Sequence, residues 1–334
     1  MAEHLFKKAT LADLPAFGVA HETNTEAGTG CTVVVAPAGA TCGVDVRGGG
    51  PATRETDLLR PENMVEQVHA VMIAGGSAFG LAASAGVMDV LAEEGIGFRL
   101  GDACVPIVVE ACLFDLLVGK NAHPGPAEGA AAARAALAAQ RAGLNDRLAQ
   151  GNVGAGCGAT VGKLLEPERA MKSGFGWSGI RAGDVVVLAL VAVNACGEVR
   201  DRDGRWIAGC RADDGGVIPP MQAMEMAYRM QTAQAARAAS DAPCTNTTLG
   251  IVLTNAKLTK AQATKVSTMT HDAYARAIEP VHTLNDGDTI FTLASGEVAT
   301  DTNLLGALAC DAMQDAIINA VKNATSAYGL PAAD

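Results

Sequence analysis

The sequence is poor in aromatic side chains and in positive charge. Aromatic residues make up 4% of the 334 residues, whereas 49% are hydrophobic and 38 are glycine. Such a core is built from Ala, Val, Leu and Ile, with many close backbone contacts or special turns. The formal net charge of −11 repels phosphate backbones and anionic lipids. We therefore expect neither nucleic acid nor a membrane surface as a partner.

The sequence also lacks the cysteine spacings of a zinc or disulfide framework. None of its nine cysteines forms a C-x-x-C pair, and their number is odd. We expect reduced core thiols, no metal site and a cytoplasmic protein. The N-terminal segment has no continuous apolar stretch of the secretory type. No apolar run is expected to be long enough to span a bilayer.

Hydrophobic patterning predicts many strands with a few helices inserted among them. Predicted strands cover 16–22, 31–36, 41–47, 68–73, 96–100, 111–118, 185–194, 249–255 and 289–294. Predicted helices cover 78–94, 128–142, 220–239, 259–278 and about 301–327. Strict βαβ alternation is rare, which favours an α+β sandwich with stacked sheets and helices outside. Although the length prior suggests two domains, we predict one domain over residues 1–334.

A glycine-rich loop spans residues 151–163. Gly154 and Gly156 fit a G-x-G-x-x-A pattern, but the polar segment before them is not a strand, as a dinucleotide fold requires. A P-loop would need one more residue in its spacing and a Ser or Thr where Leu164 stands. A nucleotide-binding, non-hydrolytic protein stays an alternative. The residues fit better a loop whose backbone N–H groups line a small-molecule pocket.

The Asn246-Thr247 bond lies where a polar turn, residues 245–248, runs into a buried strand. A threonine hydroxyl can attack the preceding carbonyl, move the acyl group from nitrogen to oxygen and leave an ester for water to hydrolyse. The product is a threonine with a free α-amine, which is an activated nucleophile. The simpler interpretation is that two β-branched residues begin a strand.

Two further polar residues stand at the ends of apolar elements. Lys163 ends the glycine loop. It is either a solvated surface residue or a cation placed near a nucleophile or oxyanion. Asn194 ends the most hydrophobic predicted strand. Its side chain is a turn former or an oxyanion donor.

Carboxylates and histidines follow near the C-terminal part of the chain. Asp286 and Asp288 flank a glycine, which is typical of a turn but also of carboxylates that orient an ammonium or hydroxyl. Only Asp286-Gly287-Asp288 resembles a calcium-binding loop, and the rest of that pattern is absent. His271 and His282 lack metal-ligand spacing, and we interpret them as structural.

Several long segments, in this order, resemble one family. They are GVDVRGGGPATRETDLL, VMIAGGSAFGLAASAGVMDVL, GNVGAGCGATVGKL, LVAVNACGEV, TNTTLGIVLTNAKLTKAQ and VHTLNDGDTIFTLAS. Nearly the whole chain is similar to the L-aminopeptidase/D-esterase family, which includes β-aminopeptidases and nylon-oligomer hydrolases. The resemblance implies a four-layer αββα sandwich, similar to N-terminal-nucleophile hydrolases but with different connectivity.

The resemblance also implies autocatalytic cleavage of a precursor. Its position maps onto Asn246-Thr247, giving an α chain of residues 1–246 and a β chain of residues 247–334. Thr247 is then the nucleophile, and homo-oligomers of the αβ unit are expected.

Other site residues are carried over from the family motifs one by one. Lys163 matches the lysine that ends the glycine loop, and Asn194 matches the asparagine that ends the hydrophobic strand. Asp286 and Asp288 match two carboxylates near the nucleophile of the nylon enzymes, positions at which the aminopeptidases vary. A tyrosine of the nylon enzymes falls near Phe114, where its hydroxyl is missing.

Together these residues predict a self-processing amide or peptide hydrolase that needs no cofactor. Thr247 forms an acyl-enzyme, Asn194 stabilises the oxyanion, Lys163 lowers the pKa of the new α-amine, and the two aspartates position Thr247 or a substrate ammonium.

Substrates are expected among small peptides, amino-acid amides, esters and amide oligomers. Predicted substrate contacts are Gly154 and Gly156 in the glycine loop and Gly75 and Gly76 in the family's second glycine-rich edge. The loop at residues 47–55 is also expected to line the pocket. An acyltransferase of the ornithine acetyltransferase type, which also cuts itself before a threonine, stays a second alternative.

Overall fold

A computed structural model describes residues 5–143, 148–235 and 246–333. The strands, in chain order, are β1 (Phe6–Lys8), β2 (Gly18–Asn24), β3 (Thr29–Val46), β4 (Ala52–Arg54), β5 (Val68–Ala74), β6 (Phe98–Leu100), β7 (Ala103–Val105), β8 (Val108–Cys112), β9 (Thr160–Val161), β10 (Met171–Lys172), β11 (Phe175–Ala182), β12 (Val185–Asn194), β13 (Glu198–Arg200), β14 (Trp206–Ala208), β15 (Thr247–Ala256), β16 (Ile278–Glu279) and β17 (Thr289–Val298). The helices are α1 (Ala83–Glu93), α2 (Pro126–Ala142), α3 (Pro220–Ala235), α4 (Lys260–Ala277) and α5 (Thr302–Lys322). Part of the predicted helix at 220–239 and the turn residue Thr245 lie outside the described residues.

Strand β3 belongs to two sheets and joins them. Its first half pairs with β2 and β5, and its second half pairs with β17. The first sheet has the order β1-β11-β12-β15-β17-β3, and the second has the order β2-β3-β5-β8-β4. The two predicted strands at 31–36 and 41–47 are therefore wrong as separate elements. The extended chain continues through Pro37 and Gly39, whose φ is +82°, into the other sheet.

The two faces of β12 show how the layers stack. Every residue of this strand is buried, because one face packs on helices and the other on the second sheet. Val187 and Val191 belong to the core that includes α4 and α5 residues. Leu188 and Leu190 belong to the core between the sheets. A third core joins the second sheet to α1 and α2, so the predicted four-layer αββα sandwich is confirmed.

Several element predictions are confirmed and one strand boundary is wrong. Helix α4 begins at the expected cap, where Thr259 Oγ1 accepts a hydrogen bond from the Gln262 backbone N–H. The strand predicted at 111–118 is wrong beyond its first two residues, because β8 covers Val108–Cys112. Residues 113–118 instead form a loop, in which Asp115 accepts hydrogen bonds from the Thr29 hydroxyl and the Gly76 N–H.

Helix α5 differs from the expectation about apolar length. It has 21 residues, and its most apolar 18-residue window has a mean hydropathy of 1.3, which by length and composition alone would suit a bilayer. Within the described residues, however, 67% of its most apolar window is buried. It packs against β11 and β12 as a core helix, where an apolar helix is expected.

Helices α1 and α2 cross at two glycines. A Cβ on Gly129 would lie 1.9 Å from the carbonyl oxygen of Ala83, and one on Gly86 would lie 1.8 Å from that of Pro126. The backbones therefore touch, and neither helix can move aside without disturbing the sheet beneath it.

We expect Gly129→Ala to lower the free energy of unfolding by about 1–3 kcal/mol, because overpacking a helix crossing forces a backbone shift. At an open helix position the same change would raise that free energy by up to about 1 kcal/mol. Urea unfolding measures the effect, with both proteins carrying Thr247→Ala to exclude the expected self-cleavage. Ala131→Leu, at an exposed position of the same helix, is the control. It should change the free energy of unfolding by no more than about 0.5 kcal/mol. A stabilised Gly129→Ala protein would contradict the close crossing.

Candidate active site

The site forms where three adjacent strands of the first sheet begin or end. Thr247 is the first residue of β15 and pairs with Asn194, the last residue of the antiparallel strand β12. On the other side, β17 runs parallel to β15, with Leu249 beside Thr289. This register carries the loop before β17 to the start of β15. Sheet pairing alone thus brings residues 194, 247 and 287 together.

The Asn246–Thr247 peptide bond is buried and surrounded by polar groups. The Thr247 hydroxyl hydrogen-bonds to the carbonyl oxygen of Asn246. The Gly287 N–H donates to that carbonyl oxygen at 3.2 Å and to Thr247 Oγ1 at 3.1 Å. A Cβ at position 287 would lie 2.6 Å from Thr247 Oγ1, so only glycine fits. Sequence reasoning missed Gly287; its signal was a glycine held between two carboxylates.

Asn194 and Lys163 form the second part of the site. Lys163 Nζ donates to Asn194 Oδ1 at 2.8 Å and to the Asn194 carbonyl at 3.1 Å. Thr160 N–H also donates to Asn194 Oδ1, at 3.1 Å, while Asn194 Nδ2 donates to the Phe114 carbonyl at 2.9 Å. The fully buried Asn194 side chain is therefore fixed by contacts and does not form a turn.

The environment of Lys163 weakens its charge. Burial lowers the pKa of Lys163 from 10.5 to about 7, and the negative charge of Asp286 partly opposes this effect. A desolvated ammonium loses its proton more easily because the low-dielectric interior disfavours the charged form. Near neutral pH, Lys163 is thus both a proton donor and a proton acceptor.

Asp288 holds the backbone on both sides of the site. Its Oδ1 accepts from the Thr248 N–H at 2.7 Å. Its Oδ2 accepts from His282 twice, from the backbone N–H at 3.1 Å and from Nδ1 at 2.8 Å. The carboxylate therefore ties the second residue of β15 to the loop before β17.

Asp286 has a different set of contacts. Its Oδ2 accepts from the Thr283 N–H at 2.7 Å, which closes the turn that carries Gly287. Burial raises the pKa of Asp286, and the nearby charge of Asp288 adds to the rise. Of the two predicted carboxylates, Asp288 is the one bonded directly to the segment of Thr247.

The predicted pocket loop at residues 47–55 lies against this turn. Gly50 N–H donates to the Asp286 carbonyl at 2.8 Å, and Arg47 N–H donates to the Asp288 carbonyl at 2.9 Å. A Cβ on Gly48 would lie 2.3 Å from the Asp286 carbonyl oxygen. The glycine run thus lets one loop lie flat on the other.

The four glycines predicted to touch substrate have contacts of their own. Gly76 N–H donates to Asp115 Oδ1 at 2.7 Å, and Gly75 N–H donates to the Gly30 carbonyl at 2.9 Å. Gly154 and Gly156 are buried. Gly154 N–H donates to Thr23 Oγ1 at 2.8 Å, and a Cβ on Gly156 would lie 2.1 Å from the backbone of Phe175. Their contact with substrate stays a prediction.

Lys172, which sequence reasoning also missed, holds the glycine loop from inside. Its fully buried Nζ donates to the carbonyls of Ala159 at 2.8 Å, Ser173 at 2.7 Å and Gly156 at 3.4 Å. Residues 154–162 are all buried. The loop therefore turns carbonyls toward a buried cation, whereas a phosphate-binding loop presents N–H groups to its ligand.

Comparison with known proteins agrees with this geometry. The profile of peptidase family S58 matches residues 9–332. The chain belongs to peptidase family S58. It is 40% identical over 321 residues to an uncharacterized aminopeptidase of Mycobacterium leprae, covering 90% of this chain and 84% of that protein. It is 30% identical over 325 residues to a 6-aminohexanoate-oligomer endohydrolase of Kocuria sp., covering 93% of this chain and 85% of that protein.

The fold of the family S58 chain also matches solved structures. The L-aminopeptidase D-Ala-esterase/amidase of Ochrobactrum anthropi, described as a variant of the N-terminal-nucleophile hydrolase fold, aligns with a TM-score of 0.67 at 16% identity. The alignment covers 97% of this chain and 91% of that one. The expected resemblance and fold are confirmed, and the chain is a hydrolase.

The lowered pKa of Lys163 predicts a pH-dependent stability. Folded Lys163 loses its proton near pH 7, whereas the unfolded side chain keeps it to about pH 10.5. Between these values the unfolded state binds more protons, so stability rises with pH, by at most about 1.4 kcal/mol per pH unit.

Urea unfolding at pH 6 and pH 9 measures this rise, in a chain that carries Thr247→Ala to exclude the expected self-cleavage. We expect Lys163→Met to remove the Lys163 share of the increase, while other titrating groups cancel in the comparison. Equal increases with and without Lys163 would show that its pKa is not lowered.

Proposed function

We propose that the chain is a self-processing amide hydrolase that cuts its own Asn246–Thr247 bond and then uses Thr247 as its nucleophile. The observation that carries this proposal is the arrangement at the bond. The Thr247 hydroxyl hydrogen-bonds to the Asn246 carbonyl oxygen, and the Gly287 N–H donates to both oxygens. Attack by Oγ1 places negative charge on the Asn246 oxygen. A donor already directed at that oxygen stabilises the charge without rearrangement.

Self-cleavage needs a base, because the uncut chain has no free α-amine at Thr247. Lys163 is our candidate, since its pKa of about 7 leaves part of it neutral. It bonds to Asn194, the ladder partner of Thr247. Oγ1 attacks the Asn246 carbonyl carbon, and the C–N bond then breaks with a proton returned to the Thr247 nitrogen. Water hydrolyses the resulting ester, leaving a carboxylate on Asn246 and a free amine on Thr247.

Hydrolysis of a separate substrate molecule then follows the same chemistry. The α-amine of Thr247 accepts the Oγ1 proton, and Oγ1 forms an acyl-enzyme that water releases. We assign Asn194 Nδ2, an amide nitrogen with two hydrogens, to the substrate oxyanion. Lys163, when protonated, keeps the pKa of the neighbouring α-amine low. Asp288 and Asp286 hold the segments that carry Thr247 and Gly287.

The substrate class follows from the bond type that the relatives' names share. An aminopeptidase, a 6-aminohexanoate-oligomer endohydrolase and an esterase/amidase all act on acyl bonds. We propose small peptides, amino-acid amides or esters, or linear amide oligomers as substrates of this chain.

Self-cleavage predicts a simple result by denaturing mass analysis. The purified wild-type chain, 33.9 kDa when intact, should yield two fragments, the second beginning at Thr247. Thr247→Ala should stay intact, because alanine lacks the attacking hydroxyl.

Thr248→Val is the matched control. The buried Thr248 Oγ1 has no hydrogen-bond partner among the described residues, so its removal should leave cleavage unchanged. An intact wild-type chain, or fragments from Thr247→Ala, would refute the assignment of Thr247.

Turnover is tested with a panel of chromogenic L- and D-amino-acid amides, β-peptides and 6-aminohexanoate oligomers. We expect the cleaved enzyme to hydrolyse at least one class, and Thr247→Ala to be at least about a thousandfold slower, because the covalent step is lost. An added amine acceptor, ornithine, separates the acyltransferase alternative. Transfer of a substrate's acyl group to ornithine without hydrolysis would replace our proposal with that alternative.

A further inference from the structure

The buried carboxylate of Asp288 is held mainly by one residue. Of the three hydrogen bonds that this carboxylate accepts from the described residues, two come from His282, one through the backbone N–H and one through the ring. Asp288 is 1% exposed. A buried carboxylate is stable as an anion only when hydrogen bonds replace its lost hydration. His282 therefore supplies most of the hydrogen bonds that orient this carboxylate.

The His282 ring is fixed in place. Its Nδ1 lies 2.8 Å from Asp288 Oδ2, and its centroid lies 4.8 Å from that of His271 and 6.0 Å from that of Tyr274. Its buried Nε2 has no hydrogen-bond partner within the described part of the chain. Because a carboxylate only accepts hydrogen bonds, the proton must lie on Nδ1, which donates to Asp288. His282 also has φ +58°, a strained value for a residue with a side chain.

A short series of contacts links this ring to the scissile bond. His282 Nδ1–H donates to Asp288 Oδ2, and Asp288 Oδ1 accepts the Thr248 N–H. Thr248 follows the nucleophile directly, so this bond fixes the backbone that aims Thr247 Oγ1 at the Asn246 carbonyl. The groups around the ring are Asp288, His271 and Tyr274, and neither His271 nor Tyr274 hydrogen-bonds to Asp288 within the described residues.

We propose that His282 is a positioning residue for self-cleavage, acting on Thr247 through Asp288. This inference rests on the proposed function. Without the ring donor, Asp288 keeps one backbone bond from position 282 and its carboxylate can rotate. Rotation weakens its bond to the Thr248 N–H and lets the Thr247 hydroxyl turn away from the carbonyl carbon.

The experiment compares two substitutions that both accept the φ of His282. His282→Asn keeps a side-chain N–H near the place of Nδ1, and asparagine tolerates a left-handed backbone. His282→Gly tolerates the same backbone without any side-chain donor. After in vitro translation, we expect cleavage about ten- to a hundredfold slower for His282→Gly, which corresponds to one hydrogen bond to a charged group. His282→Asn should stay within about threefold of wild type.

A spectroscopic readout separates positioning from general destabilisation. In the uncut Thr247→Ala chain, the Thr248 amide proton should lie downfield because it donates to a carboxylate. His282→Gly should move it upfield, and His282→Asn should not. His69→Asn is the matched control for loss of a histidine, since His69 Nδ1 accepts from the Ile107 N–H in the other sheet. This control should cleave at the wild-type rate.

The outcomes separate this inference from the proposed function. If Thr247→Ala still cleaves, the nucleophile is wrong and the proposed function fails. If Thr247→Ala blocks cleavage but His282→Gly cuts within about threefold of wild type, only the role of His282 fails. It also fails if His282→Asn is as slow as His282→Gly, or if the Thr248 amide shift is the same in both variants.

Discussion

The site depends on the register of three adjacent strands. Because β12 pairs with β15 so that Asn194 faces Thr247, and β17 lies beside β15 in parallel, a carbonyl, a hydroxyl and the Gly287 N–H converge at one edge of the sheet. A slip of one residue would turn every side chain to the opposite face. The cores on both sides of β12 prevent such a slip, since each face of the strand is completely buried. Packing thus fixes the geometry of the chemistry.

Buried charge is the second constraint on this sandwich. Lys172, Asp286 and Asp288 are almost inaccessible to solvent, and burial lowers the pKa of Lys172 to about 8. Each group is compensated by backbone hydrogen bonds, so the polar interior costs less than unpaired charges would. Glycine makes this possible, because loops without side chains can bring their N–H and C=O groups close to a charged atom. The high glycine content therefore serves the site as well as the turns.

Much of the fold was predictable from the pattern of residues. The apolar run at 185–194, the capped helix after Thr259 and the Ala-rich helix α2 formed as expected, because local propensity and burial agree there. The errors fall where tertiary contacts override local signals. Pro37 and Gly39 lie within a strand that both sheets share, and the apolar run after residue 112 leaves its sheet so that Asp115 can bond to Thr29 and Gly76.

The sequence by itself determined most of the long elements, the family and the residues that are chemically able to act, including Asn246-Thr247, Lys163, Asn194, Asp286 and Asp288. Only the tertiary structure decided how they are held. The Gly287 N–H lies 40 residues from Thr247, and its only local signal is a glycine between two carboxylates. The buried Lys172 and the His282 ring on Asp288 have no local sequence signature. Their roles arise from backbone donors and carbonyls of distant segments, and a backbone group looks the same at every residue until the chain has folded.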